Sequence, residues 1–134
     1  MPRKESILKI KTEAFAVRIT RLYRYLTNEK HETVISRQIY RSGTSIGANV
    51  AESINAQTKA DFITKLSIAL KEANETQYWL NTCYSTGLIT QQGFSSMNND
   101  NEGIIKILVS SIKTARKGLE DYEKKHQKET NGKE

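Results

Sequence analysis

The chain has 134 residues with a single proline and a single cysteine, a mean hydropathy of −0.62 and a hydrophobic fraction of 37%. That length suits one domain with one core, no apolar run approaches the roughly 18 residues of a membrane span, and export is not expected because MPRKES leads into an amphipathic pattern without a signal-peptide core. The net charge of +6 and the isoelectric point near 9.4 point to an anionic partner, or to a charge that only keeps the protein soluble.

The first helix is expected over about Ser6 to Asn28, since Leu8, Phe15, Ile19, Leu22 and Leu26 recur at steps of three and four. A second stripe of Ile10, Ala14 and Val17 lies on the other side beside Arg21 and Arg24. A helix of an isolated bundle would present only polar groups there, so a further contact is expected on that face. A short polar connection from Asn28 to Glu32 contains His31, and Thr33 is the expected cap of the second helix.

That second helix, ending near Ala56, carries RSGTSIGANVAES, Arg41 to Ser53. With Ile46 at the centre of a face, helical geometry places Ile35, Ile39, Gly43, Val50 and Ile54 beside it and Ser42, Asn49 and Ser53 on its flank. Each glycine inside a helix costs about 1 kcal/mol against alanine, which points to a close helix approach at Gly43 and Gly47. A phosphate-binding loop is the weaker reading of GTSIGANV, because no lysine follows the second glycine and no hydrophobic strand precedes the run.

Thr58-Lys59-Ala60-Asp61 has the form of a capping box and opens the third helix. Phe62, Ile63, Leu66, Ala69, Leu70, Ala73, Leu80 and Tyr84 form its core face, and the opposite side carries Asp61, Ile68, Glu72, Glu75 and Trp79. Two large apolar residues among carboxylates on an outer face suggest a subunit contact; scattered exposed residues are the plainer reading. Cys83, at the edge of the apolar face, is expected to be a buried small hydrophobe, and its solitary state fits a reducing cytoplasm.

Gly87 and Gly93 punctuate a linker in which Thr90 to Met97 is expected to form a helical turn before the polar run NNDNEG. The last helix then follows, with a core stripe of Ile104, Ile105, Leu108, Ile112, Ala115, Leu119 and Tyr122 and with Lys106, Lys113, Lys117, Lys124 and Lys128 on its reverse side. Residues 1–126 make the expected bundle domain, and 127–134 a polar tail too hydrophilic to pack and expected to be disordered.

The run RSGTSIGANVAES, followed by KADFITKLSIALKEANETQYWL from Lys59 to Leu80, closely resembles the four-helix bundle family of 23S rRNA intervening-sequence proteins, whose relatives include the accessory variability protein of diversity-generating retroelements. The resemblance extends from about Phe15 to Thr114. It implies an all-α, antiparallel up-down-up-down four-helix bundle, commonly a homopentamer, associated with nucleic acid and in some relatives with a reverse transcriptase, and without catalytic residues.

No site for catalysis, metal or cofactor is expected from the residues themselves. A di-iron site in a bundle needs inward carboxylates from all four helices and Glu-x-x-His pairs on two, whereas Glu72 and Glu75 are expected to point away from the core. His31 and His126 stand near helix ends without ligand-spaced partners, and no histidine accompanies Ser42, Ser45 or Ser53 in their segment. The subunit contact is expected to use Ile10, Val17, Arg21 and Arg24 of one protomer against Ile68, Glu72, Glu75 and Trp79 of the next.

Charge is concentrated at the ends of the chain: Met1 to Lys30 carries eight Lys or Arg against three acids, and Lys113 to Glu134 seven against five. If the first and last helices are neighbours, Lys9, Arg18, Arg21 and Arg24 approach Lys106, Lys113, Lys117 and Lys124 and form a phosphate-binding strip for RNA or DNA. The alternative is a structural or protein-interaction scaffold whose basic charge serves solubility.

Overall fold

The computed structural model describes residues 3–132, so Met1 and Pro2 of the expected bundle and Lys133 and Glu134 of the expected tail lie outside the described residues. Four helices follow one another: α1 (Lys4–Asn28), α2 (Ile35–Ile54), α3 (Lys59–Ser85) and α4 (Gln91–Asn131). Each packs on its sequence neighbours, and α4 closes the ring against α1, as an up-down-up-down bundle requires.

The turns explain why the chain reverses where it does. His31 adopts a left-handed backbone with φ of 54°, and the Glu32 N–H donates to the Leu26 carbonyl at 2.9 Å. Thr33 is not the cap of α2. Instead the Glu32 carboxylate accepts from the backbone N–H groups of Val34, Ile35 and Ser36 at 2.8, 2.8 and 2.7 Å. Burial pushes this carboxyl up, but those three N–H groups outweigh it and hold the pKa below the ordinary value. A carboxylate meets three orphan donors at once, where a threonine hydroxyl would meet one. Thr58 does cap α3, accepting from the Asp61 N–H at 3.0 Å. Gly87, with φ of 78°, ends that helix, and the Leu88 N–H reaches back to the Cys83 carbonyl at 2.9 Å.

The core is built from Leu8, Phe15, Ile19 and Leu26 of α1, Ile39, Ile46 and Val50 of α2, Leu66, Ala69, Ala73 and Leu80 of α3, and Ile104 and Leu108 of α4. Ile54 and Tyr122, expected on the inner faces, are exposed because they sit where their helices run out of neighbours, and Tyr84 is exposed at the end of α3 with its ring stacked 5.2 Å from that of Phe94 on α4. Gly43 and Gly47 mark the close approach of α1 to α2. A Cβ on Gly43 would lie 2.7 Å from Cδ1 and Cγ1 of the fully buried Ile19, and one on Gly47 would lie 3.3 Å from the Thr12 carbonyl oxygen.

α4 departs from expectation at both ends. NNDNEG is helical rather than a linker, and α4 is unbroken from Gln91. Asn101 occupies a core position between Met97 and Ile104 and is fully buried, donating from Nδ2 to the Ala73 carbonyl at 2.8 Å. Asn98 pairs with Glu102 one turn on at 3.1 Å, and Asp100 faces Arg18 of α1. At the far end the expected tail is helical as far as Asn131, although every residue from Glu120 to Gly132 is exposed.

The two glycines are expected to differ on substitution. Gly43→Ala should lower stability by about 1 kcal/mol or more, since overpacking against Ile19 exceeds the gain of about 1 kcal/mol in helix propensity. Gly47→Ala should stay close to the parent, because its neighbours need to yield by only a few tenths of an ångström. Urea denaturation of both variants checks the order; the reverse ranking would place the tight contact elsewhere.

Candidate nucleic-acid and subunit surfaces

The antiparallel packing of α1 on α4 determines which basic residues meet. Lys4 Nζ lies 2.5 Å from Ser110 Oγ, while Arg18 donates through Nη1 to Asp100 Oδ2 at 2.5 Å and through Nη2 to Ser96 Oγ at 2.8 Å. The start of α1 therefore stands beside the middle of α4, and the end of α1 beside the start of α4. Arg21 lines an open groove of about 410 Å³ with Leu22, Tyr25, Ile89 and Met97, level with the first turns of α4. Arg24 is exposed near the same end.

Lys113, Lys117 and Lys124 lie beyond Met97 on α4 by 16 residues or more, hence roughly 24 Å away along the axis. The helices are neighbours, as the charge distribution suggested, but their register holds the α1 arginines and these α4 lysines at opposite ends. Lys9 is on the α2 flank, four turns before Tyr23, whose ring packs 4.7 Å from that of Tyr40 on α2. Lys106 does meet α1, bordering a small apolar recess with Lys4 and Ile7.

A different set of cations gathers at the Lys113 end. Arg3, Lys4 and Lys59 surround Phe62, Thr114 and Ala115 with one acid, Glu5, among them, and Arg116 stands with Lys113, Lys117 and Glu120 around Ile112. The Lys59 ammonium crosses to α4, 3.3 Å from where a Cβ on Gly118 would sit. Lys4, Lys59 and Arg116 escaped the sequence argument because Lys59 belongs to a helix start and Arg116 falls off the lysine stripe. The visible signal was the glycine at position 118, which opens α4 to a long side chain.

The proposed subunit faces divide in a similar way. Ile10 and Val17 are 65% and 50% exposed and, with Arg24, form the outward stripe of α1. Ile68 on α3 is 36% exposed. Glu72 corrects the expectation: it is only 8% exposed and turns toward α2 rather than away from the core. There Arg41 binds both carboxylates, through Nη1 to Glu72 Oε2 at 3.4 Å and through Nη2 to Glu75 Oε2. Trp79 is half-buried against the core, and its buried indole N–H completes no hydrogen bond within the described residues.

Two glutamates around one guanidinium acquire opposite shifts. Burial, only partly offset by Arg41, raises the Glu72 carboxyl above its ordinary value. Burial also pushes Glu75 up, but the hydrogen bond and charge of Arg41, with smaller help from Glu72 and the nearby Trp79 indole, leave it lowered. Glu72 thus contributes stability that is full below about pH 4.5 and declines as pH rises through its folded pKa. Glu75 contributes stability present above that pH and lost as pH falls.

No reactive group emerges from the interior. Cys83 is buried, its thiol pushed up to about 11 by burial and by the charge of Glu32, so it carries little thiolate at neutral pH. Ser42 is fully buried and spends its hydroxyl on Thr76 at 2.9 Å, joining α2 to α3. Among the described residues no three His, Cys, Asp or Glu side chains are grouped as a metal ion would need, and no helix is long and apolar enough to cross a membrane.

Four antiparallel helices with a buried small-residue α2 and a basic outer surface define a compact up-and-down bundle protein. The chain belongs to the 23S rRNA-intervening sequence protein family, whose model matches residues 4–110. It is also similar to the crystal structure of a protein of unknown function from the S23 ribosomal protein family of Bacteroides thetaiotaomicron, with 55% identity and a TM-score of 0.82 over 83% of this chain and 99% of that one. A comparison with curated proteins finds no match.

Arg41→Gln should leave Glu72 buried without a cation. We expect a loss of about 1–3 kcal/mol at pH 7, moderated by the exposure of Arg41 itself. Without the guanidinium both carboxyls rise, so protonation relieves the folded state and the deficit should narrow at pH 4. Urea denaturation at the two pH values measures this; a deficit that widens at pH 4 would show that Arg41 does not neutralise the pair.

Proposed function

We propose that this protein is a non-enzymatic, homo-oligomeric bundle that associates with structured RNA through phosphate contacts. The observation that carries the reading is the unequal pairing of charge. On the α2–α3 side Arg41 and Lys65 are matched by Glu72, Glu75 and Glu52, whereas Lys106, Lys113, Lys117 and Lys124 on α4 form no ion pair among the described residues. The family's description, which refers to 23S rRNA, supports RNA over DNA.

Self-association follows from the apolar stripe of Ile10 and Val17, which the monomer leaves uncovered. We propose that it meets the Ile68 and Trp79 edge of the next protomer, a heterologous contact that closes into a ring, a homopentamer by the family resemblance. Repetition around a ring multiplies weak phosphate contacts into avidity. A reverse transcriptase is a further partner that the resemblance suggests, and a cytoplasmic location fits the free cysteine.

Light scattering at micromolar concentration, followed by titration with a structured RNA across a salt series, tests both parts. The expected outcome is an oligomeric mass and a log–log salt dependence of roughly −0.7 to −0.9 per phosphate contacted. An oligomer that binds no RNA at about 50 mM salt would instead establish a protein scaffold. A monomer would remove the ring.

A further inference from the structure

Resting on that reading, we propose that the RNA-binding surface is the projecting end of α4 with the basic rim at its base, formed by Lys4, Lys59, Lys113, Arg116, Lys117 and Lys124, and that its ligand is the phosphate backbone of double-helical RNA. The α1 arginines are not part of it.

Three observations meet at this place. The bundle ends near Leu119, the last residue of α4 that packs against the core, yet α4 runs on to Asn131, a further span of roughly 20 Å. A fully exposed helix of this length has no packing to hold it and is marginal by itself in water, so it gains most from a partner laid along it. Its lysines at 113, 117, 124 and 128 fall on one side at steps of four, seven and four. That row of about 22 Å along one edge of a rod can follow a run of phosphates across a groove.

The base of the rod carries charge from three helices. Lys4 comes from α1, Lys59 from α3, and Lys113, Arg116 and Lys117 from α4, and the Lys59 ammonium lies against α4 at Gly118, 3.3 Å from where a Cβ would stand. None of the six is ion-paired among the described residues, although the chain pairs Arg18, Arg41 and Lys65 elsewhere. Gathering unpaired like charges is unfavourable unless an anion joins them. Of the acids of this end, Glu120 falls within the lysine row by the helical count and shares the groove of Lys113, Arg116 and Lys117, Asp121 borders the row, and Glu123 lies off it, so the cations outnumber but do not exclude acids on this face.

The arginines at the opposite end stand apart from this surface, and one of them is already engaged. Arg18 is bound to Asp100 and Ser96, and Arg21 borders an apolar groove. The family model stops at residue 110, so Lys113, Arg116, Lys117 and Lys124 lie beyond the part the family shares, while Lys4 and Lys59 lie within it.

The test uses the full-length protein and a labelled RNA duplex of about 20 base pairs, followed by anisotropy over a salt series. Lys113→Gln, Arg116→Gln and Lys117→Gln combined should reduce the salt slope by about two to three and weaken binding roughly tenfold or more at low salt. Arg21→Gln with Arg24→Gln should stay within about twofold of the parent, because these residues touch no phosphate in this arrangement. Circular dichroism melts confirm that both variants keep the fold. If the arginine pair carries the loss, or both sets lose equally, the surface is misplaced although RNA association stands. Tighter binding to the same duplex as DNA would overturn the choice of RNA. An unmodified protein that binds neither duplex would overturn the function itself together with this surface.

Discussion

The contact of Gly43 with Ile19 is the constraint on which the rest of the bundle depends. A fully buried isoleucine side chain lies where any Cβ on α2 would stand, so α1 and α2 can approach only if that position is glycine. Gly47 repeats the approach four residues later over Thr12, which turns its own hydroxyl back to the Leu8 carbonyl at 2.8 Å. Small residues along one helix thus substitute close packing for side-chain bulk. The helix keeps its regular hydrogen bonding despite the propensity lost at each glycine.

Polar groups inside the bundle specify how the helices pair. Ser42 meets Thr76 between α2 and α3, and Asn101 meets the Ala73 carbonyl between α3 and α4. Each places a hydrogen bond at one level of an otherwise apolar seam, and a helix shifted by a turn would bury the same groups without partners. Asn101 achieves this incompletely, since its Oδ1 has no partner among the described residues. The gain is a specified register, and the register decides everything about the basic surface. With Lys4 beside Ser110 and Arg18 beside Asp100, the arginines of α1 and the lysines of α4 from Lys113 onward are held at opposite ends of the molecule, and Lys4 stays with the lysines.

Charge is handled differently on the two sides of the protein. In the ion pairs between α2 and α3 three acids meet two bases, and Arg41 holds two carboxylates where burial would otherwise favour their neutral forms. Around the end of α4 the bases have no such partners, and the helix carrying them extends into solvent. The first arrangement stabilises the chain from within, and the second leaves charge available to an outside anion.

Periodicity by itself determined four helices, the inner stripes of α1 and α2 and the cap at Thr58, because spacing of apolar groups and the chemistry of one hydroxyl are local properties. The glycines of α2 also announced a close approach before their partners Ile19 and Thr12 were known. The polar run NNDNEG was misread because Asn101 belongs to the core only through the Ala73 carbonyl of another helix, and hydropathy counts an asparagine as solvent-facing whatever lies opposite. Glu72 was placed outside for the same reason, since Arg41, 31 residues earlier, is what makes its burial tolerable. The Lys113 cluster, drawn from three helices, has no spacing in the chain at all. Helical phase is a property of neighbouring residues and can be read along the sequence, but the level at which two antiparallel helices meet depends on contacts between distant residues, and only the tertiary structure decides it.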